Sequence, residues 1–198
     1  MLDKALEDEN SFYCREDTRE WDVARSFCGL TYAPLEAIPL IKGSSPNAVL
    51  KRLQCSDITF SRFCFGVPTR VENFDPKAGN IIVVNTLSGN VRHPLTDQSY
   101  SDTRTGESYV VDSSRTDYWN IASGDDLQLN ITIPHSLMEV ISERWYGFIP
   151  DDDFWKKRIV FGGAGSAWLS LLDYTIQSVS ASSKHDEVIL KKANELLC

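Results

Sequence analysis

The sequence predicts an α+β fold: an antiparallel β-sandwich or small barrel, followed by helices gathered at the C-terminal end. Three observations carry that reading. Short runs rich in β-branched and aromatic residues recur between residues 58 and 133. Glycine, aspartate and serine turn signals separate them at close spacing. Beyond Pro134 the apolar spacing shifts to the i, i+3, i+4 rhythm of helices.

Residues 1–50 read as mixed, their apolar patches broken by Pro34, Pro39, Gly43 and Pro46. Ile58 to Phe65 is the first clear strand, ended by Gly66 and Pro68. Ile81 to Leu87 is a second, closed by Ser88-Gly89-Asn90, and residues 107–112 form a third. Residues 127–133 place Leu127, Leu129, Ile131 and Ile133 on one face and Gln128, Asn130 and Thr132 on the other. That period of two predicts a strand with one buried side. Ser123-Gly124-Asp125-Asp126 supplies the turn before it. Residues 136–146 predict a helix with Leu137, Val140 and Ile141 on one face, stopped by Gly147 and Pro150. Trp168, Leu171, Leu172, Thr175, Ile176 and Val179 form the strongest amphipathic stripe, which Ser182 and Ser183 break. A last helix, Asp186 to Leu197, carries Ile189, Ala193 and Leu196 on one stripe.

A chain of 198 residues and 22.3 kDa buries roughly 70% of its unfolded surface and needs no staples. Hydrophobic residues at 42% and charged residues at 24% exclude a disordered or collagen-like chain. No apolar run reaches the ~18 residues of a membrane span. The acidic start MLDKALEDEN lacks the apolar core of a signal peptide. Five irregularly spaced cysteines, Cys14, Cys28, Cys55, Cys64 and Cys198, predict reduced thiols in a cytoplasmic setting. Lys plus Arg is 20 against 28 Asp plus Glu, net −8, which disfavours phosphate gripping. The basic groups Lys156-Lys157-Arg158 and Lys191-Lys192 are flanked by acids and make no stripe that follows a duplex.

Few residues carry chemistry. Gly162-Gly163-Ala164-Gly165-Ser166 sits between an apolar run and a helix, as phosphate loops do. It lacks the Gly-Lys-Ser/Thr of a P-loop and the third glycine of a dinucleotide fingerprint, so it reads as a loop with Ser166 as N-cap. Asp151-Asp152-Asp153 lacks calcium-loop spacing and reads as a negative helix start. His93, His135 and His185 are isolated, which predicts no metal; His135 has no nucleophile beside it, and His93 before Pro94 reads as a loop residue. Arg62, among apolar neighbours, is a candidate to meet an anionic ligand, against its plainer reading as a rim arginine. Phe63, Tyr109, Trp119 and Trp145 are candidates to line a cavity, against plain core.

Three stretches stand in a family order: DITFSRFCFGVPTRVENF (57–74), NIIVVNTLSGNV (80–91) and GESYVVDSSRTDYWNIASGDDLQLNITIPHSLMEV (106–140). Together they resemble the N-terminal ligand-binding domain of AraC-type bacterial transcription regulators. The nearest variant is the cupin-like one, whose last strand ends Ile-Pro-Arg-x-x-Leu. Here the matching residues are Ile133, Pro134, His135 and Leu137, so histidine replaces the usual arginine. The resemblance covers roughly residues 20–180. It implies a cupin-like β-barrel or jelly roll over 1–150 and a helical dimerisation and linker segment over 151–198. It also implies a small-molecule effector inside the barrel, no cofactor, and DNA contact only through a C-terminal domain with two helix-turn-helix motifs, which these residues do not include. Arg62, Tyr109 and Trp119 are the candidate ligand residues, and Trp168, Leu172, Ile176, Ile189 and Leu196 the candidate dimer interface. Two alternatives stay open. A cupin enzyme shares the barrel but holds its metal with His-x-His and a following Glu and His, a set this chain lacks. A ligand-free structural dimerisation module shares the same strand pattern.

Overall fold

The computed structural model describes Leu6, residues 13–181 and residues 187–198. In chain order the elements are β1 (Tyr13–Thr18), α1 (Trp21–Thr31), β2 (Glu36–Pro39), β3 (Ala48–Cys55), β4 (Ile58–Cys64), β5 (Thr69–Glu72), β6 (Asn80–Ser88), β7 (Asn90–Thr96), β8 (Ser99–Arg104), β9 (Glu107–Asp112), β10 (Asn120–Ala122) and β11 (Leu127–Pro134). Then follow α2 (His135–Tyr146), α3 (Asp152–Trp155), β12 (Ile159–Gly162), α4 (Ala167–Ala181) and α5 (Glu187–Leu197). The strands form two antiparallel sheets, a seven-stranded one in the order β1-β3-β4-β11-β6-β9-β12 and a five-stranded one in the order β2-β5-β10-β7-β8. This is an α+β fold, a sandwich of two antiparallel sheets followed by helices. Within the "mixed" first 50 residues, residues 13–50 hold β1, α1, β2 and the start of β3. β12, beyond the expected boundary at 150, pairs with β9 and closes one edge of the large sheet. The helix break expected at Ser182 and Ser183, and Asp186, lie outside the described residues.

Local chemistry sets the turns. Gly89 joins β6 to β7 at φ +71, and a Cβ there would meet the Asp126 Cα at 2.6 Å, so no other residue fits. Gly147 ends α2 in the left-handed cap its position predicts. Asp151 caps α3, its carboxylate accepting from the Phe154 N–H at 2.9 Å. Ser166 accepts weakly from the Leu169 N–H at 3.3 Å, which supports the plain reading of the glycine loop as a helix start.

Two apolar clusters hold the fold. One lies between the sheets and includes Phe63, Phe65, Val84, Tyr109, Val111 and Tyr118. The other lies on the outer face of the large sheet, where Phe60, Val83, Leu129, Ile131 and Ile133 meet Leu172, Ile176, Val179, Leu190 and Leu197 of α4 and α5. β11 therefore has no exposed side. Its apolar face packs under the helices, and its polar face, Gln128, Asn130 and Thr132, is buried as well. The expected single buried side is corrected: helices cover one face and the second sheet covers the other.

Candidate functional site

The polar face of β11 looks into the space between the sheets. Asn130 joins Tyr32 from the end of α1, Asn120 from the start of β10 and Tyr118 just before it around a narrow pocket. Phe63, Phe65, Val71, Ile82 and Val84 complete its walls, and the half-buried Leu35 and Phe74 form its rim. Its volume is about 20 Å³, room for one water.

Hydrogen bonds orient the polar lining. The Asp126 carboxylate only accepts, so Gln128 turns its Nε2 to it at 2.7 Å. The Gln128 Oε1 then accepts from the Asn130 Nδ2 at 3.4 Å, and that Nδ2 also reaches the Tyr32 hydroxyl at 3.4 Å. Asn120 gives its Nδ2 to the Tyr118 hydroxyl at 3.3 Å. Both carboxamide oxygens, Asn120 Oδ1 and Asn130 Oδ1, are thereby left buried with no protein partner, as is the Thr132 hydroxyl. Orphaned acceptors of this kind cost about 1–3 kcal/mol each when nothing else reaches them.

Behind Tyr118 lies His93, fully buried and stacked on Tyr109 with ring centroids 4.2 Å apart and planes within 7°. It sits in β7, not in a loop: Pro94 falls where the β7–β8 register shifts, a place where a strand tolerates proline. The Thr103 hydroxyl donates to the Val91 carbonyl at 3.1 Å. That leaves the His93 Nε2–H to donate to Thr103 Oγ1 at 3.0 Å, and Nδ1 to accept from the Tyr118 hydroxyl at 3.0 Å. Burial pulls the imidazole pKa down to about 3 from 6.5. Between those values the unfolded chain binds the proton and the folded one does not, so stability falls as pH falls. Urea unfolding of a His93→Gln variant between pH 7 and 4.5 is expected to show a shallower loss than the parent, by up to about 1.4 kcal/mol per pH unit. Equal slopes in the two proteins would show that His93 is not the group responsible. Cys28 also lines the cavity, and burial pushes its thiol up to about 12, so it is inert there.

The three expected ligand residues occupy three places. Tyr109 lies in the core between the sheets, its hydroxyl donating to the Pro94 carbonyl at 2.6 Å. Arg62 pairs in register with Lys51 and Leu129, on the outer, helix-covered face of the large sheet. Trp119 walls a separate open groove of about 390 Å³ with Pro94, Tyr100 and Arg158. The guanidinium of Arg70 lies 4.8 Å from the Trp119 ring and that of Arg92 lies 4.1 Å from the Tyr100 ring. Phe63 does line the inner cavity, while Trp145 is exposed on α2. Tyr32, Asn120 and Asn130 escaped sequence reasoning. The one signal, for Asn130, was the polar row of β11, which reads as a solvent face until a second sheet covers it.

Of the expected interface residues, Leu172 and Ile176 are buried against the large sheet. Trp168 packs against the same cluster and donates its indole N–H to Asn85 Oδ1 at 2.7 Å. Ile189 and Leu196, on α5, stay 44% and 52% exposed.

Among solved structures, the AraC-like transcriptional activator CuxR aligns with 93% of this chain and 68% of its own, at TM-score 0.66 and 13% identity. This chain shares that activator's fold. Two likenesses are more partial. ToxT of Vibrio cholerae aligns at TM-score 0.43 and 10% identity over 59% of this chain and 45% of its own. A cupin superfamily protein of Desulfitobacterium hafniense aligns at TM-score 0.32 and 17% identity over 50% of this chain and 77% of its own. No family model and no curated protein matches the sequence. Among the described residues, no three His, Cys, Asp or Glu side chains are grouped to hold a metal ion, and no helix is long and apolar enough to cross a membrane.

Proposed function

We propose that this chain is the effector-binding and dimerisation domain of an AraC-type transcription regulator, working in the cytoplasm and without enzymatic activity of its own. A small molecule occupies the space between the sheets, and its binding is passed to DNA through a separate helix-turn-helix domain. The observation that carries this reading is the pair of orphaned carboxamide oxygens on the cavity wall. A core selected for stability alone fills such a place with apolar side chains, whereas a binding site keeps polar groups for its ligand. Native mass spectrometry after mild purification tests this: the expected spectrum shows a small molecule carried by the folded chain and shed on unfolding.

The water-sized volume of the closed cavity favours a second reading, a ligand-free dimerisation module. A folded chain that carries nothing, from any growth condition, supports that module over the sensor.

Dimerisation falls to α5 in either reading. The stripe on α4 is spent on the large sheet, while Val188, Ile189 and Leu196 remain outside. Paired α5 helices across a two-fold axis would cover them. Ile189→Asp with Leu196→Asp is expected to halve the mass measured by light scattering. Folding is retained, because Leu190, Ala193 and Leu197 make the contacts to the domain. An unchanged dimer mass places the interface elsewhere.

A further inference from the structure

We propose that the open groove beside Trp119 is a second ligand site, which takes a zwitterion of amino-acid type: an apolar body bearing one carboxylate and one ammonium on neighbouring atoms. The groove lies outside the space between the sheets, so this goes beyond the sensor reading and does not depend on it. Its size suits such a molecule. The volume is about 390 Å³, within the ~300–1,000 Å³ of small-molecule pockets. Pro94, Tyr100 and Trp119 supply an apolar wall. Pro94 stands opposite Tyr100 in the β7–β8 ladder, and Trp119 directly precedes β10. The guanidinium groups of Arg70 and Arg92 lie over the Trp119 and Tyr100 rings, so both rings are held in place before any ligand arrives. Tyr100 is still 58% exposed.

The charge pattern selects the class. Arg158, just before β12, has a side chain only 11% exposed, yet its guanidinium is incompletely paired. Nη2 donates to the Asp117 carbonyl at 2.9 Å. Nη1 lies 3.9 Å from Asp97 Oδ1, too far for a hydrogen bond. Nε is buried with no partner. A desolvated guanidinium with donors to spare recruits an acceptor, and a carboxylate matches its planar fork. Asp97, in the β7–β8 turn, has a side chain 99% exposed, and Asp117 is exposed as well. The cation therefore sits deep and the carboxylates sit at the rim. A ligand with a carboxylate alone brings its charge against Asp97, and one with an ammonium alone brings it against Arg158. A zwitterion answers both, its carboxylate turned inward and its ammonium outward. Arg158 leads into β12 and Asp97 joins β7 to β8, so a molecule held by both bridges the small sheet and the strand that runs on to α4.

Four probes test the class: L-phenylalanine; 3-phenylpropionate, which lacks the ammonium; 2-phenylethylammonium, which lacks the carboxylate; and methyl β-glucoside, uncharged and rich in hydroxyls. Each is titrated by calorimetry into the full 198-residue chain at neutral pH and low salt. L-Phenylalanine is expected to bind at least tenfold more tightly than the other three, and Arg158→Gln to weaken it tenfold or more. Asp97→Asn, at an exposed turn position, is expected to narrow the preference for phenylalanine over phenylpropionate, which keeps the test open where Arg158→Gln does not fold. Phenylpropionate or phenylethylammonium binding as tightly as phenylalanine overturns the class, because one charge then suffices. Tighter binding of the glucoside makes the groove a sugar site and overturns it too. Phenylalanine affinity unchanged in both variants places its site elsewhere, and no binding by any probe removes the proposal. A small molecule still retained in native spectra of the parent then leaves the sensor reading standing.

Discussion

Asp112→Ala is expected to lower the unfolding free energy by about 3–5 kcal/mol, a large share of the 5–15 kcal/mol typical of a domain. Asp112 ends β9 with its side chain 1% exposed, on the face turned toward α2. It accepts from the Ser114 N–H at 2.9 Å and from the Arg115 Nη1 at 3.3 Å. The His135 Nδ1 lies 2.7 Å from Oδ2, the oxygen that Arg115 also reaches, a close contact of poor hydrogen-bond angle. His135 Nε2 in turn lies 2.8 Å from Glu139 Oε1, and the Arg115 Nε donates to Asp152 Oδ1 at 2.9 Å. The imidazole meets the Trp155 ring edge-on at 4.9 Å. One carboxylate thus ties the sheet to the start of α2 and, through Arg115, to α3. Alanine leaves a buried imidazole and a half-buried guanidinium facing each other without it. Urea unfolding at pH 7 is the measurement, with the midpoint falling and the slope unchanged. A loss under about 1 kcal/mol would mean that water replaces the carboxylate, and the network is then peripheral. His135 stands where the family resemblance expects arginine. Two carboxylates flank it, so the position keeps a cation's surroundings with a shorter side chain.

The central strands of the large sheet, β4, β11, β6 and β9, were legible in the sequence because each is apolar on at least one face, whereas β1 and β3 were not. Ile58 to Phe65, Ile81 to Leu87 and residues 107–112 fall within one or two residues of β4, β6 and β9. The small sheet was not. β7 and β8 read Asn-Val-Arg-His-Pro-Leu-Thr and Ser-Tyr-Ser-Asp-Thr-Arg, polar at most positions. Their outward face is held by lateral pairing, with the Arg92 Nε donating to Asp102 Oδ1 at 2.7 Å across the ladder. Apolar periodicity is silent about such strands. The candidate site stayed hidden for a related reason. Tyr32, at the end of α1, and Asn130, in β11, are 98 residues apart in the chain, and only the folded packing of α1 against the sheet brings them together. For β11 the period was right and its meaning inverted. The apolar row faces helices that arrive later in the chain, which turns the polar row inward, where polarity costs stability and gains recognition.

Tyr109 separates those two uses of a buried side chain, and Tyr109→Ala is expected to cost about 3–5 kcal/mol in the ligand-free protein. Its ring is fully buried, stacked on His93 and 5.8 Å from Tyr118, and it pairs in register with Val84 on one side and Val160 on the other. Strands on both flanks and an aromatic stack above leave little freedom to collapse into the void. The Pro94 carbonyl also loses the hydrogen bond that the Tyr109 hydroxyl donates to it. Tyr109→Phe removes that hydrogen bond and keeps the stack, so about 1 kcal/mol is expected from it. The ratio between the two variants is the diagnostic quantity. A side chain kept for an effector alone leaves the ligand-free midpoint almost unmoved in both. A side chain that holds β7 against β9 loses most of its worth with the ring and little with the hydroxyl. Urea unfolding of the parent and both variants, in protein stripped of small molecules, reads the ratio directly. An alanine variant within about 1.5 kcal/mol of the parent would move Tyr109 from the core to the ligand.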